Sequence, residues 1–424
     1  VTVRAPAAVW PKQRGSFGYG GLDRMRANRW FMLAVLFTAR CAMGWQFQSI
    51  GASTPSLAPA LHLDPAGIGA LIGLYMLPGI AIAYPGALFG RWFGEKATCL
   101  FGLALMVAGG ALIARSDSPF GLAAGRVISG SGAVVFNLVL TNMAVGWFAG
   151  REFVTALSVT LASWPLSIAV ALIAQTALTL AYGWRVVMDS TAIMSGVAFV
   201  LVAALYRMPP AAPAVASLHS GGGGARLSPR QAATCGIAGL LWGAFNVGLV
   251  VFYSFTPSLL MEHGWLPIDA GSMTSLGLWI SIASLPIGGW TADVTGRPTA
   301  WIILSCISAG LVMMLLAAML WPWGLSLLLG LAIGPAAGAI VALPSRAVAS
   351  ANRSTGFGVF YTAYYVVMAV GPGVAGWGQK TSGSASAAVL IGGVLFLTGV
   401  PLLVLFNELC GVGSLRNSAT RAKA

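Results

Sequence analysis

Arg40 and Arg126 lie inside stretches that otherwise read as membrane-spanning helix, and neither has an acidic residue nearby in sequence. An arginine at the centre of a bilayer helix costs about 2.5–3.5 kcal/mol on insertion scales. Each therefore needs a compensating partner. A guanidinium offers five donors in a planar fork suited to a carboxylate or a small oxyanion, so an anion arriving from solution could supply it. The alternative is hydrogen bonding to carbonyls of a broken neighbouring helix. Helical periodicity puts Arg40 on one face with Gly44, Phe47 or Gln48, and Gly51, and these small residues are expected to leave room for a ligand. Arg126 begins a second face with Gly130, Ala133 and Asn137, where either a structural role or substrate contact is open.

Further candidates come from later in the chain. Trp242, Asn246 and Tyr253 form one helical stripe, an apolar wall with a few placed polar groups, as ligand pockets have; ordinary interhelical packing is the alternative. Tyr361, Tyr364 and Tyr365 fall within five residues and cannot all face one cavity, which leaves Tyr361 with Tyr365, or Tyr364. Trp164 and Gln48 complete the substrate-binding set. None of the ten acidic residues sits at the centre of an apolar run, Asp189 coming closest, so a proton relay through a buried carboxylate has little support. His62 and His263 read as surface residues, and the five cysteines are scattered singly with no CxxC. No metal or cofactor is expected. Neither a carboxylate cluster for Mg²⁺ nor a nucleophile–base pair is apparent, so the chain does not read as an enzyme.

The elements that must hold these residues follow from composition. The chain has 424 residues, of which 58% are hydrophobic and only 8% charged, against roughly 25% charged in soluble domains. That deficit means an all-α integral membrane protein with the lipid bilayer as its partner. Apolar runs occur at roughly 30–57, 67–90, 97–114, 119–143, 153–182 and 186–206, then at 231–260, 270–291, 299–319, 322–343, 355–378 and 385–407. Twelve spans in two groups of six are therefore expected. The domain reading is a cytoplasmic tail 1–29, a six-helix bundle 30–206, a Pro/Gly-rich linker 207–230, a second bundle 231–407 and a tail 408–424.

The net charge of +13 follows topology and shows no basic stripe interleaved with aromatics, so nucleic acid is not a partner. With a cytoplasmic N-terminus, 18 of the 23 Lys and Arg fall on the cytoplasmic side, as the positive-inside rule requires. Only Arg115, Arg185 and Lys380 fall outside, beside the two intramembrane arginines. A multi-pass protein of the inner (plasma) membrane, both termini cytoplasmic and acting as a monomer, is expected.

Thr54-Pro55-Ser56-Leu57 recurs as Thr256-Pro257-Ser258-Leu259, an offset of 202 at which Pro65 also meets Pro267, Gly69 meets Gly271 and Gly132 meets Gly334. Parallel repeated halves place a substrate site near the midplane between them. Gly289-Trp290-Thr291-Ala292-Asp293-Val294-Thr295-Gly296-Arg297-Pro298 resembles the loop motif of the major facilitator superfamily. Its first-half counterpart, Gly86 to Lys96, is degenerate and lacks the acid. Gly125-Arg126-Val127-Ile128-Ser129-Gly130-Ser131-Gly132 is similar to the superfamily's span-4 arginine motif, and Gly183-Trp184-Arg185 to its span 5–6 junction. Within it, Arg40-Cys41-Ala42-Met43-Gly44-Trp45-Gln46-Phe47-Gln48 looks most like the cyanate/nitrate-type small-anion permeases. The resemblance implies the major facilitator fold of two pseudo-symmetric six-helix bundles and an alternating-access permease for a small, anionic solute, Arg40 being the central ligand. It also implies an asymmetric gate of Asp293, Arg297 and Arg91, with Asp293 meeting the start of span 5 near Arg151 and Glu152. An exporter of apolar or drug-like compounds on the same fold is the alternative.

Overall fold

The computed structural model describes residues 28–83, 93–148, 153–208, 227–349 and 352–421. Among them there is no strand. The long helices are α1 (Arg29–Ala60), α2 (Pro65–Ile82), α3 (Glu95–Arg115), α4 (Pro119–Phe148), α5 (Phe153–Tyr182) and α6 (Trp184–Leu205). Then come α7 (Pro229–Glu262), α8 (Pro267–Thr295), α9 (Pro298–Ala317), α10 (Pro322–Ala342), α11 (Arg353–Ser382) and α12 (Ala385–Arg421). Local sequence sets many of the boundaries. Proline opens α2, α4, α7, α8, α9 and α10, where its fixed φ suits the first turn and its missing N–H is no loss. Ser228 and Gln231 form a reciprocal capping box on α7. Gly183 and Gly383, at positive φ, turn the chain from α5 into α6 and from α11 into α12.

Eleven of the described helices are long and apolar enough to cross a bilayer. The exception is α1, at 32 residues ample in length. It falls short in hydropathy because it carries Arg40, Gln46 and Gln48. Such polarity in a span is tolerable only where protein surrounds it, and all three side chains are buried.

The packing repeats with the sequence. In the first half α1 packs on α5 and α6, and α3 on α4 and α6; in the second, α7 packs on α11 and α12, and α9 on α10 and α12. The halves meet along two equivalent seams, α2 with α11 and α5 with α8, and α1 touches α7 between them. This is the major facilitator fold, and it sets α1 and α7 at the centre.

The α2–α11 seam is close enough to demand glycine. A Cβ added to Gly69 would lie 2.1 Å from the Pro372 carbonyl oxygen, one on Gly73 2.0 Å from that of Ala369, and one on Gly376 2.1 Å from that of Pro65. Small residues of this kind let membrane helices approach backbone to backbone. We call the end of the bundle bearing Asn28, Tyr206 and Ser228 the linker end, and the other the far end. At the far end Lys380 of α11 pairs with Asp64, which caps α2, at 2.7 Å. Arg115 pairs with Asp189 at 3.6 Å and Arg185 with Asp117. Each basic residue that the charge distribution left at this end thus has an acidic partner.

Candidate functional site

Arg126, on α4, is sealed inside the first half with no accessible surface. Its Nε donates to the Leu71 carbonyl (2.9 Å), Nη1 to that of Gln46 (3.0 Å) and Nη2 to that of Phe47 (3.3 Å). The Tyr75 ring covers the guanidinium at 4.5 Å, and Gly130, one turn on, packs against the Tyr75 carbonyl. All three guanidinium nitrogens are bonded, so Arg126 ties α4 to α1 and α2. Around it Gln46 accepts from the Tyr75 hydroxyl (3.3 Å) and donates to the Met106 carbonyl (2.9 Å). Nothing in the spacing of Gln46 and Tyr75 betrayed this network.

Arg40, on α1, is held differently. Nε donates to Asn137 Oδ1 on α4 (3.3 Å), and Nη1 to the Thr160 carbonyl (2.7 Å) and Ser163 Oγ (3.3 Å) on α5. The Thr160 carbonyl lies in the turn of α5 before Pro165 and also accepts from the Ser163 hydroxyl (2.6 Å). Nη2 bonds no protein atom among the described residues, and the side chain keeps 8% of its surface accessible. Arg40 thus combines a carbonyl anchor with a free donor edge. The sequence reading missed Thr160 and Ser163, which carry no signal of their own in the sequence.

Tyr361, Tyr364 and Tyr365 of α11 each interact electrostatically with the Arg40 guanidinium. Tyr365 is buried and packs on Gly79 of α2, whereas Tyr361 and Tyr364 are enclosed by protein yet keep accessible surface, as cavity walls do. Trp242 of α7 extends this wall, near-parallel to Tyr364 (6.3 Å between ring centroids, 26°) and to Phe245 (6.0 Å, 11°). Asn246 is half-buried beside it and donates to the Trp242 carbonyl at 2.8 Å. Toward the far end the halves close on each other. Phe47 packs on Tyr75, Trp164 and Tyr253, and Gln48 donates to the Tyr253 carbonyl across the α1–α7 contact (3.3 Å).

The sequence-based candidates therefore separate by location. Asn137 bonds Arg40, Asn246 bonds the Trp242 carbonyl, and Trp242 and Tyr361 both pack on Tyr364. Trp164 and Tyr253 pack on Phe47 and Gln48 bonds the Tyr253 carbonyl, while Arg126 lies behind that closure, bonded to the Phe47 carbonyl and 5.9 Å from its ring centroid. The expected role of the glycines is corrected. A Cβ on Gly44 would collide with Ser167 Oγ at 1.9 Å, and one on Gly51 would meet Gln48 Nε2 at 3.0 Å. Neighbouring side chains already fill the space that their small size was expected to leave for a ligand.

Of the gating candidates, Arg297 is exposed at the start of α9 and shares a shallow linker-end pocket with Arg346. The Asp293 side chain, Arg91, Arg151 and Glu152 lie outside the described residues. Among the described residues, no group of three or more His, Cys, Asp or Glu side chains is placed to share a metal ion.

Two packed helical halves enclosing a buried cation and an aromatic wall define a solute carrier of the membrane rather than an enzyme. The Major Facilitator Superfamily model matches residues 36–372 and again 250–410. The chain is 24% identical over 397 residues to the lysosomal dipeptide transporter MFSD1 of Danio rerio, covering 86% of this chain and 84% of that one. It is 29% identical over 123 residues to the inner membrane transport protein YajR of Escherichia coli (strain K12), covering 29% and 24%. The crystal structure of a point mutant of the nucleoside transporter NupG superposes with a TM-score of 0.67 at 16% identity, over 90% of this chain and all of that one (100%). The chain belongs to the Major Facilitator Superfamily of membrane transporters. These similarities do not single out the cyanate/nitrate-type subgroup.

Proposed function

We propose that this transporter moves a small anionic solute across the membrane by alternating access, with Arg40 as the central anion ligand. The observation that carries this reading is the free Nη2 edge of Arg40. The side chain is fixed on three sides by Asn137, Thr160 and Ser163, and its remaining donors have no protein acceptor among the described residues. A buried charge left in that state is stabilised by an arriving anion. Trp242, Asn246 and Tyr361 line the same space, Trp164, Gln48 and Tyr253 close it toward the far end, and Asp293, Arg297 and Arg91 gate the linker end. Distribution of Lys and Arg, together with the three acid-paired basic residues at the far end, supports cytoplasmic termini in an inner (plasma) membrane. One chain carries a complete site, so a monomer suffices.

The similar proteins are described as carriers of dipeptides and of nucleosides. A dipeptide brings an ammonium group, and none of the buried polar or charged side chains among the described residues is a carboxylate. A nucleoside is neutral and would leave the Arg40 charge unpaired. Purified protein, screened for thermal stabilisation by sodium cyanate, nitrate, formate and benzoate, tests the reading, because a ligand stabilises the state it binds. At least one anion should raise Tm in wild type and none in Arg40→Ala, with Arg40→Lys restoring little. Undiminished stabilisation of the alanine variant would refute the assignment.

A further inference from the structure

Resting on the anion reading, the valence and geometry around Arg40 narrow the ligand. Nε and Nη1 are engaged by protein acceptors, and Nη2 alone bonds no protein atom among the described residues. Each two-nitrogen edge of the guanidinium thus includes a nitrogen already held by protein, which disfavours a bidentate fork-to-fork pairing. An incoming anion meets Arg40 through one oxygen, and its other oxygen must find a donor elsewhere. The Tyr364 hydroxyl fits that need: it bonds no protein atom among the described residues, keeps accessible surface and lies within electrostatic reach of the guanidinium. Charge sets a second limit. Arg126 has all three nitrogens tied to carbonyls and no accessible surface, so of these two buried arginines only Arg40 keeps an unbonded nitrogen and accessible surface. A dianion would leave its second charge unpaired in a low-dielectric site, and a zwitterion its ammonium. Shape sets a third. Trp242 presents a half-buried indole beside Tyr364, an apolar flat surface that an inorganic anion would not cover.

We propose that the solute is a monocarboxylate with a flat, apolar body. One carboxylate oxygen sits on Arg40 Nη2, the other accepts from Tyr364, and the body lies along Trp242. Because Arg40 belongs to the first half and Tyr364 and Trp242 to the second, the ligand bridges the two bundles.

Affinities of purified full-length protein for benzoate, formate, nitrate, oxalate, alanyl-alanine and uridine test this by calorimetry. Benzoate should bind at least about tenfold more tightly than formate or nitrate, the equivalent of about 1.4 kcal/mol, and oxalate no better than formate. Trp242→Leu should erase the preference for benzoate over formate while leaving formate affinity in place. Tyr364→Phe, which keeps the ring, should weaken both carboxylates. Equal or tighter binding of formate, nitrate or oxalate by wild type overturns the monocarboxylate assignment and leaves the anion reading standing. Binding of alanyl-alanine or uridine with no binding of any anion overturns both. The wild-type ranking decides even where a variant does not fold.

Discussion

Arg126 and Arg40 are two arginines of one bundle, both inside the membrane-spanning core and both bonded to backbone carbonyls, yet only Arg40 keeps a nitrogen with no protein partner among the described residues. Arg126 distributes its three nitrogens over the carbonyls of Leu71, Gln46 and Phe47 and is roofed by Tyr75. Arg40 gives two nitrogens to Asn137, Thr160 and Ser163 and keeps the third free. The contrast shows that cost of burial alone does not identify a ligand-binding charge. What identifies it is incomplete satisfaction: a donor edge that the fold positions and leaves open. Arg126 holds α1, α2 and α4 in register, and Arg40 borrows that rigidity from the neighbouring face of α1.

Removing the two side chains should break different things. Arg126→Ala leaves several buried carbonyls without their donor, each costing about 1–3 kcal/mol. Loss of monodisperse protein, or a Tm far below wild type, is the expected result. Arg126→Lys should rescue little, since an ammonium cannot span three carbonyls set around a planar fork. Arg40→Ala should be tolerated better, because Thr160 and Ser163 still bond each other (2.6 Å), while losing anion-induced stabilisation and transport completely. Equal loss of stability in the two alanine variants, measured by thermal unfolding in the absence of any anion, would dissolve the distinction.

A subtler change probes how Arg40 is aimed. Asn137 reaches from α4 to Nε at 3.3 Å, so it helps to aim the guanidinium. Asn137→Ala should weaken benzoate binding by about tenfold, the worth of one hydrogen bond to a charged group. It should also reduce discrimination between benzoate and formate less than Trp242→Leu does. A variant that binds as wild type would show that Thr160 and Ser163 suffice to aim Arg40.

Much of this was legible in the chain. Twelve apolar runs, prolines at helix starts and glycines at one offset specify the fold, since bilayer thickness and backbone satisfaction leave few alternatives. The two arginines stand out for the same reason. The rest depends on what faces each residue from another helix. Gly44 reads as ligand space on a helical wheel, but Ser167 of α5 fills it. Gln46 and Gln48 are neighbours in sequence. One serves the Arg126 network and the other crosses to α7. Even the count of spans shows the limit: α1 is the helix that misses on hydropathy, and it is the one that carries Arg40.

The smallest effect should lie at the far end, where the comparison shifts from buried to exposed charge. Asp64 and Lys380 join the halves across α2 and α11, but both side chains are substantially exposed, so the pair contributes under about 1 kcal/mol. Lys380 and the Gly67 N–H hold the Asp64 carboxyl below its ordinary range. The direction fixes the pH window. A depressed folded-state pKa gives stability that is complete above the unfolded value, roughly 3.9, and fades as pH falls below it. Asp64→Asn should therefore change Tm little at pH 7 and flatten the acid limb of the wild-type Tm profile, with Lys380→Gln doing the same. A loss at neutral pH approaching that of Arg126→Ala would mean that the far end is held by this pair rather than by the glycine-lined seam. Because Gly69, Gly73 and Gly376 bring the backbones into contact along that seam, the pair is expected to bias which end of the bundle is closed, not whether the bundle holds together.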